Sequence, residues 1–294
     1  MQPRLGRRIE ARIIQPMLKR WRILQSAPAD GATNMAVDQA ILEAVAAGSA
    51  PPTLRVYAWD PPCLSLGYAQ PLDDIDLPRL AAAGWDWVRR PTGGRAILHT
   101  DELTYAVIAP ERHPLMTGGV LASYRRLSSG LLAGLSQLGV EAEVEPNDGP
   151  RSGRNQNPVC FEVPSAYEIK AAGRKLIGSA QVRRLGAVLQ HGTLPLGGDL
   201  GRICHALAFD TQTARQQAAE RVRQRAATLE ELLGRPVAWS QAAQALVLGF
   251  EQAMGSDLEP GTLSPAEQAR VRQWARQLSQ RPGEAVGRVD PASS

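Results

Sequence analysis

Between residues 167 and 194 the chain reads as three short strand-like runs, 167–169, 175–182 and 187–194, joined by glycine turns. Runs this closely spaced can only pair antiparallel, because a parallel crossover needs a dozen or more residues. A sheet is therefore obligatory here. Small residues at 171–173 and 178–180 leave little side-chain bulk, so backbone or a ligand can come close. The same neighbourhood holds Cys160, Arg174, Lys175 and the triplet Gln190, His191, Gly192. A nucleophile, a cation and close-approach glycines in one stretch point to a covalent site.

The rest of the chain alternates strand-like and helical runs. Strands are predicted at 21–25, 53–59, 63–67, 85–90, 96–99, 103–109 and 141–144. Helices are predicted at 34–47, with Thr33 or Asn34 as N-cap, near 77–83, and at 121–138, where Leu127, Leu131, Leu135 and Leu138 form one stripe. Beyond residue 199 the pattern is helical, over 213–225, 229–233, 240–254 and 264–278. The expected fold class is α/β (α+β), with mixed and antiparallel sheets flanked by helices. A polar, Gly/Pro-rich loop at 146–158 leads into Cys160 and is expected to be mobile. The expected division is a basic arm over 1–20, a catalytic domain over 21–280 and a disordered tail over 281–294.

Charge and cysteine usage narrow the function classes. Net charge is +4 over 294 residues, yet the first twenty carry Arg4, Arg7, Arg8, Arg12, Lys19 and Arg20 against Glu10 alone. The remainder is thus close to neutral, which argues against a nucleic-acid partner for the body of the chain. Apolar runs such as 236–250 are too short to span a bilayer, and no signal-peptide pattern is seen, so a cytoplasmic protein without membrane contact is expected. Cys63, Cys160 and Cys204 show no CxxC spacing, and His99, His113, His191 and His205 form no metal motif. Neither a disulfide framework nor a metal site is expected. Only Lys19, Lys170 and Lys175 among 33 basic residues are lysines, and two of them flank one glycine turn. Lysine, unlike arginine, can lose its proton when buried.

Two further stretches read as binding elements. In the run from Arg89 to Arg95, Arg89, Arg90 and Arg95 crowd Thr92, Gly93 and Gly94, whose amides could face an anion or a carbonyl oxygen; the plainer alternative is a hairpin turn. Cys63 sits in an apolar run and reads as a buried structural thiol. The same inert role is the alternative for Cys160.

Three motifs give the chain a likeness to a known group: RRPTGGRAILHTDELTYAV at 89–107, CFEVPSAYEI at 160–169, and GRKLIGSAQVRR with LQHGTLPL at 173–184 and 189–196. Together they resemble the lipoate–protein ligase and octanoyltransferase superfamily, whose catalytic domain is similar to that of biotin ligase. The likeness runs from about residue 21 to 278. ATP-using ligases of that superfamily typically have a third glycine where this chain has Arg95 and a tyrosine where it has Leu98; they also carry an accessory domain. The cysteine motif and the GGR variant resemble instead the branch that moves octanoate from acyl carrier protein to the glycine-cleavage H protein. A sister branch, passing octanoate from H protein to E2 subunits, also uses a cysteine.

The resemblance implies Cys160 as nucleophile and Lys175 as the cation beside it. Arg90, Thr92, Gly93, Gly94, Arg95, His99, Gly178, Ser179 and His191 are implied to line the substrate site. His99 and His191 read also as hydrogen-bonded supports of strand ends. The implied partners are octanoyl-acyl carrier protein and a lipoyl domain, that of H protein or another, with no cofactor. An ATP-dependent ligase and a non-catalytic acyl-binding protein are the competing readings.

Overall fold

The computed structural model describes residues 20–144, 168–256 and 258–280. The expected arm, the loop at 146–158, Cys160 and the tail lie outside them.

Five early strands and two helices come first: β1 (Trp21–Gln25), α1 (Gly31–Ala46), β2 (Thr53–Tyr57), β3 (Cys63–Leu66), α2 (Leu77–Ala82), β4 (Asp86–Arg89) and β5 (Ile97–His99). The centre holds β6 (Glu102–Pro110), α3 (Gly119–Gln137), β7 (Glu143–Val144), β8 (Glu168–Ala171), β9 (Arg174–Arg184) and β10 (Ala187–Pro195). Then come α4 (Gln212–Arg225), α5 (Leu229–Leu233), α6 (Trp239–Met254), β11 (Leu258–Pro260) and α7 (Pro265–Gln280). Short 3-10 turns at Leu72–Asp74 and Leu200–His205 complete the described elements.

Eight strands form one mixed sheet in the order β11-β1-β2-β6-β10-β9-β8-β7. The β11, β1 and β2 neighbours are parallel, and every pairing from β2 to β7 is antiparallel. Its centre is β6 and β10, nine residues each and buried throughout. The antiparallel set predicted from the glycine turns is there: Gly173 (φ 73°) and Gly186 (φ 78°) take the left-handed conformation that closes each turn.

Helices α3 and α6 cover one face of this sheet, burying Leu127, Leu131 and Leu135 with Leu246 and Phe250 against Val107 and Val188. Across the sheet, α1 and α7 pack over Tyr57, Ala106 and Leu189. A second sheet, β4-β3-β5, lies over a third cluster that includes Leu64, Leu66 and Val222.

One local expectation is corrected and one alternative is excluded. The α1 cap is Asp30, not Thr33 or Asn34: Asp30 Oδ1 accepts from the Thr33 amide at 2.7 Å and its Oδ2 from the Thr33 hydroxyl at 2.9 Å. Asn34 lies inside the helix and donates to the Ala29 and Ala58 carbonyls. Starting at Gly31 also permits a close approach, since a Cβ there would lie 2.5 Å from Cys63 Sγ. The Gly93–Gly94 stretch is not a hairpin turn. Strands β4 and β5 flank β3, parallel and antiparallel to it, so the connection passes across the end of β3.

Candidate active site

The crossing of residues 90–95 over β3 is held from below by its own arginines. Arg90 Nη1 donates to the Ser65 carbonyl (2.9 Å) and hydroxyl (3.1 Å), and Nη2 to the Gly93 and Arg95 carbonyls (both 2.8 Å). Arg89 Nη1 donates to the Gly67 and Gln70 carbonyls at 2.9 and 2.6 Å. These guanidiniums brace two loops against each other. The bracing is tight: a Cβ on Gly67 would sit 2.1 Å from the Gly94 carbonyl oxygen, and Gly94 itself has φ 91°. Neither position tolerates a side chain without a shift of backbone. Gly94 remains exposed, Gly93 and Arg95 half-buried, and the exposed Tyr68 ring lies near Gly93.

Thr92 ties this loop to the large sheet. Its hydroxyl meets His191 Nε2 at 2.6 Å, and His191 Nδ1 faces Asp38 Oδ2 at 3.4 Å. A carboxylate can only accept, so Nδ1 carries the proton and Nε2 accepts from Thr92. Asp38 also pairs with Arg55 (2.7 Å) and accepts from Tyr57 OH (3.0 Å). Arg55 spends its other donors on Asn34 Oδ1 (2.7 Å), the Asn34 carbonyl (3.0 Å) and Ser26 Oγ (3.0 Å), with its guanidinium 3.7 Å from the Tyr57 ring centroid. Burial works to raise the Asp38 carboxyl, but Arg55 and the hydrogen bond from His191 outweigh it and hold it below the usual carboxylate value. Burial lowers His191 and keeps the imidazole neutral; the Asp38 bond pulls the other way, and Arg90 and His99 add to the lowering. Burial, with the Asp38 charge, pushes the Tyr57 phenol well up.

His99 heads a parallel chain. Its Nε2 meets Ser65 Oγ at 2.8 Å, its Nδ1 donates to Glu102 Oε1 at 2.7 Å, and its ring stacks on Trp59 at 4.0 Å. Glu102 also accepts from the Thr104 hydroxyl, which in turn accepts from Trp59 Nε1 at 2.8 Å.

Lys175 lies near by on β9. It is 3 % exposed, and its ammonium donates to Glu168 Oε1 at 2.8 Å. Its side chain passes over Gly178, where a Cβ would sit 3.0 Å from Lys175 Cε and 3.3 Å from Nζ. Gly178 pairs in register with Thr193, two residues after His191 on β10 and on the same sheet face. Thus Thr92, His191, Gly178 and Lys175 come together. Ser179 does not join them: its hydroxyl meets Tyr105 OH at 2.7 Å on the opposite face. Cys63 is a buried thiol, as predicted; burial pushes its pKa well up, so it is no thiolate. Cys204 is buried too. Among the described residues no His, Cys, Asp and Glu cluster could hold a metal ion, and no helix is long and apolar enough to cross a membrane.

Asp38, Arg55, Glu168 and Glu102 were not singled out from the sequence. A usable signal existed for two: Asp38 interrupts the apolar stripe of α1, and Arg55 stands between Leu54 and Val56 in a short strand-like run. An ionised group in such a place needs a partner.

Residues 30–251 match the family described as "Lipoyl protein ligase A/B catalytic domain". The chain belongs to this family. Its relatives include proteins named Octanoyltransferase LipM, from Symbiobacterium thermophilum (43% identical, covering 86% of this chain and 93% of the relative) and Moorella thermoacetica (45%, covering 86% and 93%). Among solved structures, a bi-partite lipoate protein ligase from Thermoplasma acidophilum superposes with a TM-score of 0.77 at 21% identity, covering 93% of this chain and 99% of that one. A lipoate-protein ligase A bound with ATP gives 0.70 at 23%, covering 88% and 95%. At these identities the structural likeness establishes the fold: a lipoate ligase-type catalytic domain of mixed sheets and flanking helices.

Proposed function

We propose that the chain is an octanoyltransferase of lipoate assembly, working in the cytoplasm. It takes octanoate from octanoyl-acyl carrier protein and delivers it to a lysine of a lipoyl domain, that of H protein. The observation that carries the reading is the 43–45% identity, over nine-tenths of their length, to relatives that bear the name octanoyltransferase.

In the first half-reaction the Cys160 thiolate attacks the thioester carbon of the donor. A carbon–sulfur bond forms to Cys160, and the carrier's thiolate leaves and takes up a proton. In the second, the neutral amine of the acceptor lysine attacks the enzyme thioester. A carbon–nitrogen bond forms, the Cys160 sulfur departs, and the proton shed by nitrogen ends on that thiol. Thioester exchange is close to isoenergetic and amide formation runs downhill, so ATP is not consumed. Lys175 supplies a fixed positive charge for the thiolate and the acyl oxygen. The loop of Thr92, Gly93 and Gly94, braced by Arg90, walls the site.

The test is incubation with octanoyl-acyl carrier protein and apo H protein without ATP, read by intact-mass spectrometry. Without acceptor, one octanoyl adduct is expected on Cys160. Cys160→Ala should fold and lose transfer, and Cys160→Ser should be badly impaired because a hydroxyl ionises far less readily. Lys175→Arg should not rescue function, since the planar guanidinium misplaces the charge. Transfer that requires ATP and free octanoate, or an adduct on another residue, would refute the reading. Faster loading from octanoyl-H protein than from octanoyl-acyl carrier protein would move the chain to the sister branch.

A further inference from the structure

Thr193 stands out among the described residues. It is 2 % exposed at the centre of the large sheet, and its hydroxyl has no hydrogen-bond partner. A buried hydroxyl without a partner is costly, and serine or threonine would normally satisfy it on a neighbouring carbonyl. Here the surroundings are already committed. On one side the register partner is Thr104, whose oxygen accepts from Trp59 and donates to Glu102. On the other the partner is Gly178, which offers no side chain and over which Lys175 passes. Strand alternation sets Thr193 on the same face as His191, the face turned toward Thr92. The side chain therefore lies on the face that carries the Thr92 contact and the Lys175 ammonium.

We infer that Thr193 is a catalytic residue whose hydroxyl, with the Lys175 ammonium, binds the acyl carbonyl oxygen. This deepens the octanoyl-transfer reading and rests on it. When a nucleophile attacks the acyl carbon, the carbonyl π pair moves onto oxygen; when the intermediate collapses, that pair returns and the leaving group departs. No proton need move at Thr193. Its O–H donates more strongly to the oxyanion than to the ground-state carbonyl. A hydroxyl kept unpaired in the free protein is preorganised for that moment.

The decisive comparison is Thr193→Val against Thr193→Ser. Valine keeps the shape and deletes the hydroxyl; serine keeps the hydroxyl. The valine variant is expected to fold with an unchanged or higher Tm, because it removes an unpaired buried polar group. Its kcat for acyl loading should fall about 100-fold or more with little change in KM, while serine stays within about tenfold of wild type. A purely structural role predicts the reverse: lower Tm and activity that follows stability. Valine within about threefold of wild type, valine and serine equally impaired, or a loss confined to KM would each overturn the assignment.

A second readout does not depend on turnover. Carbonyl-labelled octanamide, bound to wild type, should show a downfield carbon-13 shift that the valine variant loses. No shift in wild type, or one unchanged in Thr193→Val, would also overturn it. Failure of wild type to transfer octanoate from any donor, with the carbonyl shift intact and Thr193-dependent, would sink the transfer reading and leave the carbonyl site standing.

Discussion

On one side of the large sheet α3 and α6 approach so closely that their backbones touch through glycines. A Cβ on Gly249 would lie 2.3 Å from the Gly134 amide nitrogen and 2.4 Å from the Gly130 carbonyl oxygen, and one on Gly130 would lie 2.6 Å from the Phe250 ring. On the other side α1 is joined to the sheet by Asp38, Arg55, Tyr57 and His191, all buried and mutually bonded. The first face is held mainly by shape and apolar area, with a neutral chain of hydrogen bonds running from Ser123 on α3 through Gln181 and Gln190 to Tyr105. The second gives up some of that to keep charged and neutral-polar groups in fixed orientation beneath the Thr92 loop. Buried ion pairs are a poor route to stability, since desolvation consumes much of their attraction. The Asp38–Arg55 pair, placed next to the candidate site, is what orientation of a loop demands.

The comparison can be broken first at Asp38. Asp38→Ala leaves Arg55 buried without its carboxylate and removes an acceptor from Tyr57 and His191. A loss of about 3–5 kcal/mol is expected in chemical denaturation. The paired change Asp38→Leu with Arg55→Met should recover much of that loss while leaving octanoyl transfer poor, because the orientation of His191 and Thr92 is not restored. If the double variant transfers at the wild-type rate, the charge on this face has no positioning role.

Gly249 tests the opposite face. Gly249→Ala inserts a methyl between two backbones that cannot yield as a side chain would, and a loss of about 1–3 kcal/mol is expected. Transfer measured below the lowered Tm should be nearly normal, since α6 packs on the sheet face opposite His191. Loss of activity without loss of stability would show that the two faces are coupled.

The same contrast governs what could be read from sequence. The leucine stripe of α3 is a period of apolar residues, and periods are local, so the helix was predicted with ends within two residues of those found. The antiparallel run of β8, β9 and β10 follows from glycine turns, also local. The order of the strands is not local: β11 is three residues ending in proline, and it was not anticipated. Nor could the insertion of β3 between β4 and β5 be read, which is why a hairpin stood as the alternative for Gly93–Gly94. Motif resemblance nominated Thr92, His191, Gly178 and Lys175, and the fold brings these together. It also nominated Ser179, which faces away, and it passed over Asp38 and Glu168, whose partners lie on other elements. Thr193 sat inside a quoted motif, but only burial and the lack of a partner single it out.

The smallest effect concerns protons. His191 is held neutral by burial, so its folded pKa lies below the unfolded value of about 6.5. Between those two values the unfolded chain binds the extra proton and the folded chain does not, so stability rises with pH there. The contribution is fully present above about 6.5 and is lost as pH falls toward the folded value, with a slope of at most about 1.4 kcal/mol per pH unit for one proton. Asp38, also depressed, adds its own loss only at more acid pH, below the ordinary carboxylate value of about 3.9. The two windows are therefore separable. Unfolding free energy measured from pH 7.5 to 5 should decline in wild type, and His191→Gln, which cannot titrate and still can bond Thr92, should flatten the upper part of that decline. The groups facing His191 are Asp38, Thr92, Arg90 and His99. An equal decline in His191→Gln and in wild type would assign the proton elsewhere, and His191 would then be a hydrogen-bonding post with no part in the pH response.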